Sequence, residues 1–198
     1  DLVLPLVVHG ARGLDEGFAL GRRELGHGHA VGGQVLEQRL VGLDHALAGN
    51  GDFFLARLDG GVQIEPGDML CLHTGFAQRV LDMHKNPDPE MLEHACAVLD
   101  GRDARLLQWI TDSQIAVIAT DNYAVEAFPA RPGAACCAAL PLHEHCLFKL
   151  GVHLGELWHL TPLAHWLREH GRHRFLLTAP PLNLPGAIAS PVTPVATV

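Results

Sequence analysis

Apolar residues along this chain follow two patterns. Short unbroken runs near 1–8, 69–73, 115–119 and 174–178 predict strands of a buried sheet. Stripes at helical spacing predict amphipathic helices. One runs from Val35 to Leu47 on Val35, Leu36, Leu40, Leu43 and Leu47, and others cover 76–84, 89–99 (on Met91, Leu92, Ala95 and Leu99) and 103–109. Thr161 is predicted to cap a further helix through Glu169, with Pro162 at its first position and Leu163, Trp166 and Leu167 facing inward. Gly49-Asn-Gly-Asp52, Pro66-Gly67, Asn86-Pro-Asp-Pro89 and Gly171 separate these elements. From Ala179 onward Pro180, Pro181, Pro185, Pro191 and Pro194 exclude a helix, and the low polarity of this tail predicts that it lies against the protein. Together the elements predict a single α/β domain over 1–198, a mixed sheet with flanking helices.

The stretch Pro141–Leu160 breaks the pattern by its chemistry. It holds His143, His145, His153, His159, Glu144 and Glu156 among apolar residues. Leu147 and Leu150 lie at helical spacing from His143, and Gly151 reads as the residue past a helix end. Val152 to Glu156 reads as an extended return. Seven helical steps advance roughly 10 Å, and five extended steps cover roughly 16 Å. Helix out and strand back therefore brings Glu156 close to His143. The two would form half of a metal site, since imidazole and carboxylate are ordinary ligands of zinc and manganese. On a helix His145 would point away from His143, and on a strand His153 would face opposite to Glu156. The competing reading is chance: 14 His in 198 residues cluster somewhere, and most histidines have water or backbone partners.

Composition narrows the field. A net charge of −8 argues against nucleic acid and against an anionic membrane surface. No apolar run is long enough to cross a bilayer. Five Cys without any Cys-x-x-Cys pair predict reduced thiols in a cytoplasmic protein. Ser113 and Ser190 are its serines, neither within Gly-x-Ser-x-Gly, which argues against a serine hydrolase. Other candidates are weaker. His73 and Thr74 end a strand, where substrates are often met. Asp121 and Glu126 follow another strand, as an acid/base pair or as caps of the next turn. His27 and His29 lie among glycines, and Cys136-Cys137 has no base at a fixed spacing.

Three segments carry a family resemblance: Gly61-Val-Gln-Ile-Glu-Pro-Gly-Asp-Met-Leu-Cys-Leu-His-Thr-Gly75, Ile115-Ala-Val-Ile-Ala-Thr-Asp-Asn-Tyr-Ala-Val-Glu-Ala-Phe-Pro129, and Leu140 to Val198. In order, spacing and type they resemble the C-terminal two-thirds of the cyclase family of metal-dependent hydrolases, which includes bacterial kynurenine formamidase and isatin hydrolase. The resemblance implies a swivelling β/β/α-type fold and a divalent metal, zinc or manganese, with His143 and Glu156 at the positions of family ligands. It also implies a small-molecule amide, formamide or lactam as substrate, and a homodimer or homotetramer. The family's signature His-x-Gly-Thr-His-x-Asp-x-Pro, which supplies further ligands, occurs nowhere in this chain. The expectation is therefore an N-terminally shortened domain. The alternative to a hydrolase is a non-catalytic fragment or degenerate relative that keeps the fold and the subunit contacts.

Overall fold

The computed structural model describes residues 2–3, 6–9, 38–42, 64–93, 95–134 and 137–198. Its strands are β1 (Leu2–Val3), β2 (Leu6–His9), β3 (Gln38–Gly42), β4 (Met69–His73), β5 (Val117–Thr120), β6 (His153–Glu156), β7 (Arg174–Thr178), β8 (Ala189–Val192) and β9 (Val195–Thr197). Its helices are α1 (Phe76–Asp82), α2 (Pro89–Glu93), α3 (Ala104–Ser113), α4 (Pro141–His143), which continues as a π-helix over Glu144–Leu150, and α5 (Thr161–Glu169). The sheet order is β1-β9-β7-β3-β4-β5-β6-β2-β8. The centre, β3-β4-β5-β6, is parallel, and every pairing outside it is antiparallel. This is the mixed α/β sheet that the sequence pattern predicts.

Alternation along the strands sorts the core into two layers. On β4, Leu70 and Leu72 face one side with Ile118 and Leu154, where Leu106 and Ile110 of α3 and Leu142 and Cys146 pack. Met69 and Cys71 face the other side, against Leu163, Ala164 and Leu167 of α5, with Trp158, Phe175 and Leu177. Helices thus cover both faces of the central strands, which explains why β4 and β5 read as continuous apolar runs. Asp103 caps α3, its carboxylate accepting the amides of Arg105 at 2.9 Å and Leu106 at 3.1 Å.

Several expectations need correction. The helix expected over 35–47 gives way to strand β3 at Gln38–Gly42, paired with β4 and β7. Ladder hydrogen bonds on both sides outweigh a modest helical stripe. The helix expected over 89–99 stops at Glu93, because Cys96 sits at φ 68° and Leu99 joins Glu126 in a parallel bridge. Strand β7 is buried on one face alone: Phe175 and Leu177 point in, while Leu176 is exposed. The tail is free of helix and supplies β8 and β9, so it lies within the sheet and not merely over it. His27 and His29 fall outside the described residues.

Candidate functional site

Strands β4, β5 and β6 are parallel neighbours, so their C-terminal ends share one edge of the sheet. Ligands in open α/β sheets bind at that edge. It carries His73 at the end of β4 and Thr74 just past it, Asp121 and Asn122 after β5, and Glu156 at the end of β6.

Asp121 is fully buried. Its Oδ1 accepts from the Thr74 amide at 2.6 Å and the Thr74 hydroxyl at 2.7 Å, and its Oδ2 accepts from the Gly75 amide at 2.6 Å. Gly75, at φ 89°, is where the chain turns into α1. Asp121 thus fixes the turn after β4, the capping role and not the acid/base one. Replacing Asp121 by Asn turns one acceptor into a donor facing an N–H, and equilibrium unfolding should show a loss of about 1–3 kcal/mol. His73 lies beside this carboxylate, its Nε2 3.0 Å from Thr161 Oγ1 and 3.9 Å from Asp121 Oδ2.

The second cluster joins β6, α4 and the segment after β5. Pro141 opens α4, and the helix runs directly into the π-helix. The wider turn ends on Gly151 at φ 73°, with the Val152 amide reaching back to the Cys146 carbonyl at 2.8 Å. A π-turn takes an extra residue per turn, which rotates later side chains off the α-helical stripe. Leu147 therefore stays packed on the core while Leu150 is pushed toward solvent. The chain then returns as β6, as the helix-out, strand-back path predicts.

That path places His143 Nε2 3.3 Å from Glu156 Oε1. Glu156 is held in turn by the Val125 amide, which donates to Oε1 at 3.0 Å. The other ring nitrogen, Nδ1, lies 2.8 Å from Glu126 Oε1. The same carboxylate accepts the amides of His143 at 2.8 Å and Leu142 at 3.0 Å. Burial works against a charged His143 ring, but the hydrogen bonds it donates to Glu126 and Glu156 and their negative charges outweigh it, and its pKa is pushed up to about 9. Glu126 is thus the residue that sequence reading undervalued. A carboxylate just past a buried strand signalled it, but nothing in the sequence pointed to its partners some seventeen positions on.

The remaining histidines of the stretch go elsewhere. His145 Nε2 lies 2.9 Å from Thr111 Oγ1 on α3, and His159 Nε2 lies 2.8 Å from Gln78 Oε1 on α1. His153 opens β6 and faces opposite to Glu156. The thiols of Cys71 and Cys146 are buried, which pushes both up to about 12 and makes them poor nucleophiles. Cys137 is exposed, and Cys136 lies outside the described residues.

Two ligands on one small cation, each at about 2.1 Å and at right or tetrahedral angles, stand about 3.0–3.4 Å apart. The His143–Glu156 separation of 3.3 Å lies in that range, so the pair fits as two ligands of one ion. Among the described residues no group of three or more His, Cys, Asp or Glu could hold a metal ion.

Neither a protein-family model nor a curated protein matches the chain. Solved structures do. A crystal structure of a novel cyclase is similar with a TM-score of 0.64 and 27% identity, over 82% of this chain and 53% of its own. The chain has the cyclase fold. A potential metal-dependent hydrolase with cyclase activity matches with a TM-score of 0.56 and 17% identity, over 96% of this chain and 76% of its own. Isatin hydrolase A from Ralstonia solanacearum matches with a TM-score of 0.51 and 19% identity, over 98% of this chain and 59% of its own. The chain thus spans about half the length of the cyclase. No helix among the described residues is long and apolar enough to cross a membrane.

Proposed function

We propose that this chain carries part of the metal centre of a cyclase-family hydrolase that opens a small amide, formamide or lactam. His143 and Glu156 are two ligands of a divalent ion, zinc or manganese. The observation that carries this reading is the 3.3 Å approach of Nε2 to Oε1 at the C-terminal edge of the parallel strands. The fold shared with a cyclase and with an isatin hydrolase supports it. A bound divalent ion polarises a carbonyl and lowers the pKa of water toward neutrality. The chain's own part is to hold two donors at cation spacing on rigid elements, one on a helix and one on a strand.

A second reading is a non-catalytic relative that keeps the fold. It is favoured by the number of converging donors, since His143 and Glu156 have no third ligand among the described residues. Isatin and an aryl formamide, each assayed with Zn²⁺ or Mn²⁺, decide between the two. Under the hydrolase reading the chain alone shows little or no hydrolysis, the chain joined to a segment carrying the His-x-Gly-Thr-His-x-Asp-x-Pro signature turns over one of them, and His143→Ala and Glu156→Ala each lower the kcat/KM of that joined protein by more than about 100-fold, because a lost ligand costs more than the ~10–100-fold of an outer partner. Unchanged turnover in the double variant rules out the assignment. Absent turnover in the joined protein under both metals favours the non-catalytic reading.

A further inference from the structure

Glu126 has no solvent exposure, and its backbone is pinned. It bridges Leu99 in parallel, with the Leu99 amide on the Val125 carbonyl at 3.3 Å and the Ala127 amide on the Leu99 carbonyl at 2.9 Å. Helix α4 needs a cap, because Leu140 at its N-cap offers no side-chain acceptor and Pro141 has no N–H. The next two amides, Leu142 and His143, both donate to the Glu126 carboxylate, at 3.0 and 2.8 Å. That carboxylate is a cap delivered from another segment. Its Oε1 also meets His143 Nδ1 at 2.8 Å.

Space for the carboxylate comes from Gly101. A methyl group at Gly101 would overlap Glu126 Oε2 and stand 3.0 Å from its Cδ and 3.0 Å from the Leu142 nitrogen. Any other residue at position 101 would push the carboxylate off its seat.

We propose that Glu126, seated against Gly101, is a positioning residue for His143: it fixes the imidazole in the Nδ1–H tautomer and turns Nε2 toward Glu156. Both ring nitrogens face a carboxylate oxygen, but Nδ1 stands 2.8 Å from Glu126 Oε1 and Nε2 3.3 Å from Glu156 Oε1, so the shorter contact holds the proton of the neutral ring on Nδ1 and leaves the lone pair on Nε2. Histidine ligands are oriented in this way by carboxylates on their far nitrogen, and loss of such a partner lowers metal affinity about 10–100-fold. The tautomer and the ring direction stand on geometry alone, whereas the effect on affinity rests on the metal reading above.

The test compares the intact protein with Glu126→Ala and Gly101→Ala. Glu126→Ala removes the acceptor of all three N–H donors. Gly101→Ala removes no polar group. In the metal-free protein with neutral imidazole, ¹⁵N NMR should find His143 in the Nδ1–H form, and the population should shift toward Nε2–H in both variants. Circular dichroism establishes which variants are folded, and Gly101→Ala keeps the test open if Glu126→Ala fails to fold. Titration with Zn²⁺ should then show a 10–100-fold weaker dissociation constant in the folded variants. An Nε2–H ring in the intact protein, or an unchanged tautomer in a folded variant, overturns the proposal. An intact protein that binds no Zn²⁺ sinks the metal reading instead, and leaves the tautomer result to decide the role of Glu126.

Discussion

Replacing His143 by Ala is expected to lower the free energy of unfolding of the metal-free protein by about 3–5 kcal/mol, the scale for removing one partner of a buried ionic cluster. The imidazole stands between two carboxylates, Glu126 with 0% and Glu156 with 4% exposure. It is 2.8 Å from the first and 3.3 Å from the second. Without the ring, both carboxylates remain inside the protein and repel each other. Two amides still donate to Glu126 and the Val125 amide to Glu156, which anchors the charges where they are. The cavity left by the ring adds to the loss, though water entering from the sheet edge moderates it. Urea unfolding at neutral pH measures the effect. A second substitution separates charge from volume. In the His143→Ala background, Glu156→Gln removes one of the two facing charges and should restore part of the lost stability. The cycle formed with Glu156→Gln alone then gives a coupling energy on the order of 1–3 kcal/mol. A loss below about 1 kcal/mol for His143→Ala, or no coupling in the cycle, would show that the cluster does not hold these elements together.

Much of this arrangement is legible in the sequence because it is local. The run at 69–73 is strand β4 to the residue, since a strand covered on both faces must be apolar throughout. Gly151 marks the end of the π-helix because it takes φ 73° there, which glycine adopts without strain. Helix out and strand back then fixes the approach of Glu156 to His143 by chain geometry. What stays hidden depends on partners far along the chain. Gln38–Gly42 is a strand because β4 and β7 flank it, and no periodicity inside five residues reveals that. The helix after Pro89 is short because Leu99 is drawn into a bridge with Glu126. The π-turn leaves Leu147 and Leu150 on different sides even though their spacing fits one helical face. Glu126 itself looks like an ordinary cap, and its seat on Gly101 and its hold on His143 exist in three dimensions alone.

Stability of the metal-free protein should fall as the pH rises from about 6.5 to about 9. The His143 pKa stands at about 9 in the folded chain against an ordinary value of 6.5. A group whose folded pKa is raised contributes stability that is complete below its unfolded pKa and vanishes above its folded one. Below pH 6.5 the ring is therefore charged in both states and its attraction to Glu126 and Glu156 is fully present. Between the two values the folded protein holds a proton that the unfolded chain has released, so each further rise in pH favours unfolding. The whole window is linked to about 3 kcal/mol. The ring is mostly shielded from solvent, with 15% of its side-chain surface exposed, so screening removes little of this. Urea midpoints of the intact chain and of His143→Gln, measured at pH 6 and pH 9.5 in a chelator, isolate the effect, because the other titrating groups are common to both. The intact chain should lose about 3 kcal/mol more than the variant across that interval. A divalent ion reverses the sense of the dependence, since a ligand must give up its proton to take the metal, and stabilisation by Zn²⁺ should grow with pH over the same window. Equal pH slopes for the intact chain and His143→Gln would show that His143 is not held charged between the two carboxylates.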